Sequence, residues 1–158
     1  MVSVQRLHAG YGDHEILSDV SMEVAQGEIR VVLGGSGCGK STLLRNILGL
    51  EKPWSGNAVV LGADLSVSDA AAKIARTQLG VLFQSGALVT SLTVGQNVML
   101  PLVLDGLPPS GATEELARAR LGQVRMERSW NLLPSELSGG MRKRAALARA
   151  LVREPRIL

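Results

Sequence analysis

Nine consecutive residues could do more chemistry than any others in the sequence: Gly34-Gly35-Ser36-Gly37-Cys38-Gly39-Lys40-Ser41-Thr42. They follow an apolar run, Ile29 to Leu33, broken only by Arg30, and lead into a helical pattern beginning Leu43-Leu44. The order is strand, glycine loop, helix, with the spacing G-x-x-x-x-G-K-[ST] from Gly34 to Ser41. Glycines let successive backbone N–H groups curl around phosphate oxygens, a path most side chains would obstruct. The first helical turn adds unsatisfied N–H groups and the positive end of the helix dipole. Lys40 can reach the β- and γ-phosphates as a mobile point charge, and the Ser41 hydroxyl can ligate Mg²⁺. A plain glycine turn would not need the Lys-Ser-Thr ending or these flanks. The stretch predicts a nucleoside triphosphate site.

The elements that must hold this loop can be read outward from it. Val2 and Val4 alternate as the start of a first strand that extends through Leu7 to Gly10 and Gly12, with Tyr11, the only tyrosine, between the two glycines. A second strand spans Glu15 to Val24, and Gln26-Gly27-Glu28 turns into the strand that carries the loop. After the first helix, Gly49 and Pro53 stop the pattern, and Trp54-Ser55-Gly56-Asn57 reads as a turn. Ala58 to Leu61 is a short strand, Ser68 to Gln78 a helix capped by Ser68, and Leu79 to Phe83 a buried parallel strand ending on Gln84-Ser85-Gly86. Beyond it, Thr93 caps one helix, Thr113 to Val124 forms a second, and Ser135-Glu136-Leu137-Ser138-Gly139-Gly140 is a loop opening a third, Met141 to Arg153. In that third helix Leu147, Ala148, Leu151 and Val152 make an apolar stripe opposite Arg142, Arg149 and Arg153. The fold class is α/β, divided into a nucleotide-binding core over 1–84, a helical subdomain over 85–153, and the start of a new strand over 154–158.

Composition sets the limits. At 158 residues the chain can bury roughly 70% of its unfolded surface, enough for one domain or a domain with a subdomain. No apolar run approaches the roughly 18 residues of a membrane span, and residues 1–30 lack the apolar stretch of a signal peptide. One cysteine excludes an internal disulfide and suits a reducing compartment. The net charge of +3 admits an anionic partner. The arginines between Arg118 and Arg156 recur at helical spacing, which reads as a solvated helix face rather than a nucleic-acid surface.

A serine and two glycines at a helix start, Ser138-Gly139-Gly140, make a second anion cradle of hydroxyl, N–H groups and dipole. Taken together, these elements resemble the ATP-binding subunits of ABC transporters. Leu137-Ser138-Gly139-Gly140-Met141 matches the family's signature motif, Gln84 its Q-loop glutamine, and Tyr11 the aromatic that stacks on adenine. The resemblance runs from Tyr11 to Leu158 and implies a P-loop NTPase core of RecA-like type, with a β-rich N-terminal flank and a helical signature subdomain. It implies ATP and Mg²⁺ as cofactors. Gly34, Gly35, Ser36, Gly37, Cys38, Gly39, Lys40, Ser41 and Thr42 would hold the triphosphate, Ser41 and Gln84 the metal, and Lys40 and Gln84 the catalytic contacts. Two such subunits would pack head to tail, so that Ser138, Gly139 and Gly140 of one complete the site of the other.

The resemblance also implies a transmembrane permease subunit as partner, a place on the inner face of the cytoplasmic membrane, and no nucleic-acid partner. Met141, where most members carry Gln, and Phe83-Gln84-Ser85-Gly86-Ala87-Leu88 look like the branch that moves phospholipid together with MCE-domain proteins. The alternatives are an importer of polar solutes, or a soluble ABC-type ATPase acting on nucleic acid or ribosomes. The family pattern continues past Pro155 into the Walker B strand, ending Asp-Glu, and then to a histidine. By that comparison the chain is cut short, and as it stands is expected to bind ATP but scarcely to hydrolyse it.

Overall fold

The computed structural model describes residues 1–158, which form two compact units, Met1–Arg76 and Thr77–Leu158. The first unit is built on a four-stranded antiparallel sheet of order β2-β1-β3-β4, where β1 is Val2–Tyr11, β2 His14–Val24, β3 Ser55–Val60 and β4 Ala63–Asp64. Two helices, α1 (Lys40–Ile47) and α2 (Ala70–Thr77), complete the elements that begin in it. Its core gathers Val2, Val4, Leu7, Ala9, Leu17, Leu43, Val60 and Leu65, all buried.

The two N-terminal strands form as their alternation predicts, with one refinement. Buried positions run Val2, Val4, then Leu7, Ala9, so the two-residue period slips once. The slip is a bulge at Arg6, whose φ is 44° and whose N–H donates to Ser21 Oγ at 2.9 Å. One extra residue returns the next pair of apolar side chains to the same face. The turn expected over Trp54–Asn57 is instead mostly strand, since Ser55–Asn57 belong to β3 and pair with β1 at His8 and Gln5. The α2 cap is Asp69 rather than Ser68: its carboxylate accepts the Ala72 N–H at 2.7 Å.

The expected strand over Ile29–Leu33 has no ladder. Ile29 is 90% exposed and Leu33 85%, and no strand of the sheet pairs with this segment. An apolar run becomes a parallel strand only where neighbours on its edges accept and donate its backbone hydrogen bonds. The expected strand over Leu79–Phe83 is likewise reduced to one parallel bridge, Leu79 to Ile157, where the Gly80 N–H donates to Ile157 O at 2.9 Å. Leu82 and Phe83 stay part-exposed beyond it.

The second unit packs α3 (Val94–Leu104), α4 (Gly111–Gln123) and α5 (Gly139–Leu151) around Val94, Val98, Leu102, Ala117, Leu121, Ala145, Ala148 and Val152. Thr93 caps α3 in a capping box with Gln96, as its position suggests. Ser110 caps α4, which therefore starts before Thr113, and Ser138 caps α5, so Gly139 and Gly140 are helical residues rather than loop. On α5 the wholly buried positions are alanines, Ala145, Ala146 and Ala148, with Leu147 and Leu151 only part-buried. Small side chains let α5 approach its neighbours closely.

Arg118, Arg125, Arg128, Arg142 and Arg156 are exposed, as a solvated face requires, but three other arginines of the stretch do more. Arg144 donates to Val124 O at 3.1 Å, and Arg149 to Gly86 O and Ala87 O at 2.7 Å each. Arg153 donates to Pro101 O at 2.8 Å and pairs with Asp105. Their charge is spent on the unit's own loop carbonyls and helix ends. No helix is long and apolar enough to cross a membrane.

Candidate functional site

The phosphate loop runs from Gly34 into α1, which begins at Lys40. Gly37 and Gly39 hold φ of 82° and 93°, the left-handed region that only glycine adopts freely. A Cβ on Gly39 would also stand 2.7 Å from Leu17 Cδ2 and 3.0 Å from Ile16 Cγ2, so the loop lies directly against β2. Gly39 is the N-cap of α1 and offers no side-chain acceptor. The first-turn N–H groups, which have no partner inside a helix, therefore face the loop uncapped. Their orphan donors and the dipole behind them suit a phosphate.

Lys40 folds back over the loop. Its Nζ donates to Gly34 O at 2.8 Å and Gly35 O at 2.6 Å, and lies 3.4 Å from Cys38 Sγ. These are hydrogen bonds from an exposed ammonium, which a phosphate oxygen can replace without burying charge. Ser41 is exposed one residue further on, while Thr42 and Leu43 turn inward to the core. No cluster of three His, Cys, Asp or Glu side chains could hold a metal by itself. A hydroxyl beside a phosphate cradle fits Mg²⁺ all the same, because that ion keeps waters and leans on phosphate oxygens rather than on a protein cage.

Tyr11 ends β1 with its ring half-exposed. Its hydroxyl lies 3.0 Å from Glu51 Oε2 and accepts from Arg45 Nη1 at 3.1 Å, and Arg45 also pairs with Glu51. The Tyr11 hydroxyl and then the Glu51 carboxylate push the Arg45 pKa above its ordinary value. No local pattern ties Arg45 and Glu51 to Tyr11, since Glu51 lies 40 positions from it.

The remaining predicted residues lie in the second unit. Gln84 is exposed on a tight turn closed by the Gly86 N–H on Phe83 O at 2.8 Å. Ser138 Oγ accepts the Met141 N–H at 3.3 Å, and Leu137 just before it is buried and anchors the helix entry. Gly139 and Gly140 are exposed, and a Cβ built on either meets nothing within 4 Å. Packing within the chain therefore does not require glycine at either position. The structure thus gathers the phosphate loop and Tyr11 in one unit, and Gln84 and the Ser138–Gly140 helix start in the other. Arg149, which fastens the Gln84 turn to α5, carries no local signal of that contact: its helical spacing marks only a face opposite the apolar stripe.

Comparison with known proteins identifies the family and the fold. The family model described as ABC transporter matches residues 17–158. The methionine import ATP-binding protein MetN of Latilactobacillus sakei subsp. sakei is 44% identical over 145 residues, which is 90% of this chain and 41% of that protein. The sulfate/thiosulfate import ATP-binding protein CysA of Synechocystis sp. is 39% identical over 157 residues, 99% of this chain and 43% of that one. The chain thus spans less than half the length of these curated relatives. Among solved structures, the dimeric ATP-binding cassette MJ0796 bound to ADP and Pi superposes with a TM-score of 0.86 and 32% identity, over 98% of this chain and 71% of that one. The cassette cbiO1 of Clostridium perfringens, part of the transporter complex cbiONQ, gives a TM-score of 0.81 at 29% identity, over 98% of this chain and 62% of that one. The chain belongs to the ABC transporter family and has the fold of its ATP-binding cassettes.

Proposed function

We propose that this chain binds ATP with Mg²⁺ and that the whole protein is the ATP-driven subunit of an importer of a small polar solute. The observation that carries the first half is the uncapped start of α1 behind left-handed Gly37 and Gly39, with Lys40 curled over the same loop. On this reading Lys40 leaves the carbonyls of Gly34 and Gly35 for the β- and γ-phosphates, and the first-turn N–H groups take the remaining oxygens. Ser41 and Gln84 supply the protein's oxygens to the metal, whose charge offsets that of the triphosphate. The Tyr11 ring, steadied through its hydroxyl by Glu51 and Arg45, offers a face for adenine.

The open space over Gly139 and Gly140 supports a second copy as the other half of the site. A backbone can approach a γ-phosphate held by another subunit only where no side chain stands between. We assign ATP hydrolysis, a permease partner and a place on the cytoplasmic face of the membrane to the whole protein.

Import rests on the relatives' named roles, methionine for one and sulfate or thiosulfate for the other. Phospholipid movement with an MCE-domain protein, expected from Met141 and the Phe83–Leu88 segment, finds no counterpart among them, so the importer reading takes precedence. Loss of the gene tests the choice. The importer reading expects slower uptake of one solute in a labelled panel containing methionine, sulfate and thiosulfate, with membrane phospholipid distribution unchanged. Normal uptake of every solute with misplaced phospholipid would reverse it.

A further inference from the structure

The loop after Phe83 holds a shape that its own sequence does not favour. Gly86 and Ala87 are consecutive left-handed residues, at φ 79° and 45°, and the second is not a glycine. An alanine stays in that region only where surrounding structure holds it there. The holding group is Arg149. Its Nη1 donates to Ala87 O and its Nη2 to Gly86 O, both at 2.7 Å, so the two prongs of one planar guanidinium grip two successive carbonyls.

Two features set this arginine apart from a surface charge. None of the chain's ion pairs includes it. Burial also pushes its pKa below the ordinary arginine value, so its charge is partly desolvated on behalf of main-chain acceptors alone. The turn lies directly on the helix as well. A Cβ on Gly86 would stand 3.2 Å from Arg142 O and 3.3 Å from Ala146 Cβ. The helix that starts at the Ser138 cap therefore also holds, along Arg142, Ala146 and Arg149, the turn that displays Gln84.

We propose that Arg149 is the positioning residue for Gln84: its fork fixes the Gly86 and Ala87 carbonyls, and through them the orientation in which the Phe83–Gly86 turn presents the glutamine. The proposal rests on the reading of Gln84 as a metal and γ-phosphate contact. A lysine would keep the charge but offers a single ammonium on a flexible stem and cannot grip both carbonyls in one plane.

The test is ATP affinity measured with Mg²⁺ and with EDTA, whose ratio gives the gain due to the metal. Gln84→Ala should cut that gain about tenfold, the loss of one good polar contact. Arg149→Lys should cut it by a similar factor, while its ATP affinity in EDTA stays within roughly twofold of the parent. The double variant should be no worse than either alone. Gly86→Ala, which disturbs the same turn and leaves Arg149 intact, should repeat the loss and stands in if Arg149→Lys fails to fold. A full metal gain in Arg149→Lys or in Gly86→Ala beside a reduced one in Gln84→Ala overturns the proposal alone, as do additive losses in the double variant. A full gain in Gln84→Ala overturns the reading of Gln84, and the proposal falls with it.

Discussion

Cys38 shares a small volume with the group that must move when a phosphate arrives. Its Sγ lies 3.4 Å from Lys40 Nζ, and a Cβ on Gly34 would stand only 2.4 Å from it. An alkyl group on that exposed thiol would sit inside the cradle. Alkylation should therefore lower ATP affinity by at least about tenfold, and bound ATP should slow the modification. Unchanged binding after complete alkylation would place Cys38 outside the cradle. Gly139 and Gly140 predict the opposite balance of stability and function. Gly139→Ala and Gly140→Ala should leave stability unchanged or raise it by roughly 0.5 kcal/mol, because no atom obstructs the new methyl group and helix propensity improves. ATP-dependent dimer formation, followed by sedimentation, should be lost in both. The chemistry of residues 34–42 was legible because the loop is contiguous, each residue type being demanded by its neighbours. Arg149 and Gly86 are 63 positions apart, and no local period connects a helix arginine to a distant carbonyl.

Element by element, legibility followed how local the cause of each element is. The β1–β2 hairpin and the Thr93 cap could be read from alternation and side-chain chemistry within a few residues. The Arg6 bulge could not: the apolar spacing Val2, Val4, Leu7, Ala9 slips by one, but only pairing with β2 shows that the extra residue sits at Arg6. Ile29–Leu33 shows the same limit from the other side: its residue types say strand, but a ladder is made by partners. Its amides should exchange with solvent within seconds at neutral pH, while those of Val4 and Leu7 stay protected in hydrogen-exchange measurements.

The entry to α3 hangs on one buried side chain, Asn97, whose role no local pattern announces. Asn97 Oδ1 accepts the Val89 N–H at 2.8 Å, and its Nδ2 donates to Val89 O, Leu92 O and Thr93 O, each at 3.0 Å. Asn97→Ala strands these groups and should cost about 2–3 kcal/mol in denaturant titrations. Asn97→Asp should be worse at neutral pH, since it turns an ionised oxygen toward three carbonyls. Its folded-state carboxyl pKa would be raised, so the proton is held more tightly in the folded chain than in the unfolded one. Stability of that variant should recover as the pH falls toward about 4 and drain away as it rises. A pH-independent deficit would contradict the arrangement of donors at Asn97.

On the scale of the whole molecule, the fold class and the cassette family were both readable, because two anion cradles stood in the right order along one chain. The transport branch was harder to read. Met141 and a handful of residues after Phe83 suggested phospholipid, whereas relatives matched over at least 90% of the chain carry import in their names. Substrate choice in such systems depends on surfaces outside a nucleotide site, and a few cassette residues do not encode it. The basic balance had a physical destination too: several arginines close loops and helix ends within the second unit.

Whether residues 34–42 hold a nucleoside triphosphate is decided by a titration with fluorescent ATP in Mg²⁺. Saturable binding that unlabelled ATP displaces is expected, weakened about a hundredfold or more in Lys40→Ala, since a charge-assisted contact to phosphate is lost. Equal binding by the parent and Lys40→Ala, or no binding by a folded parent chain, would contradict it.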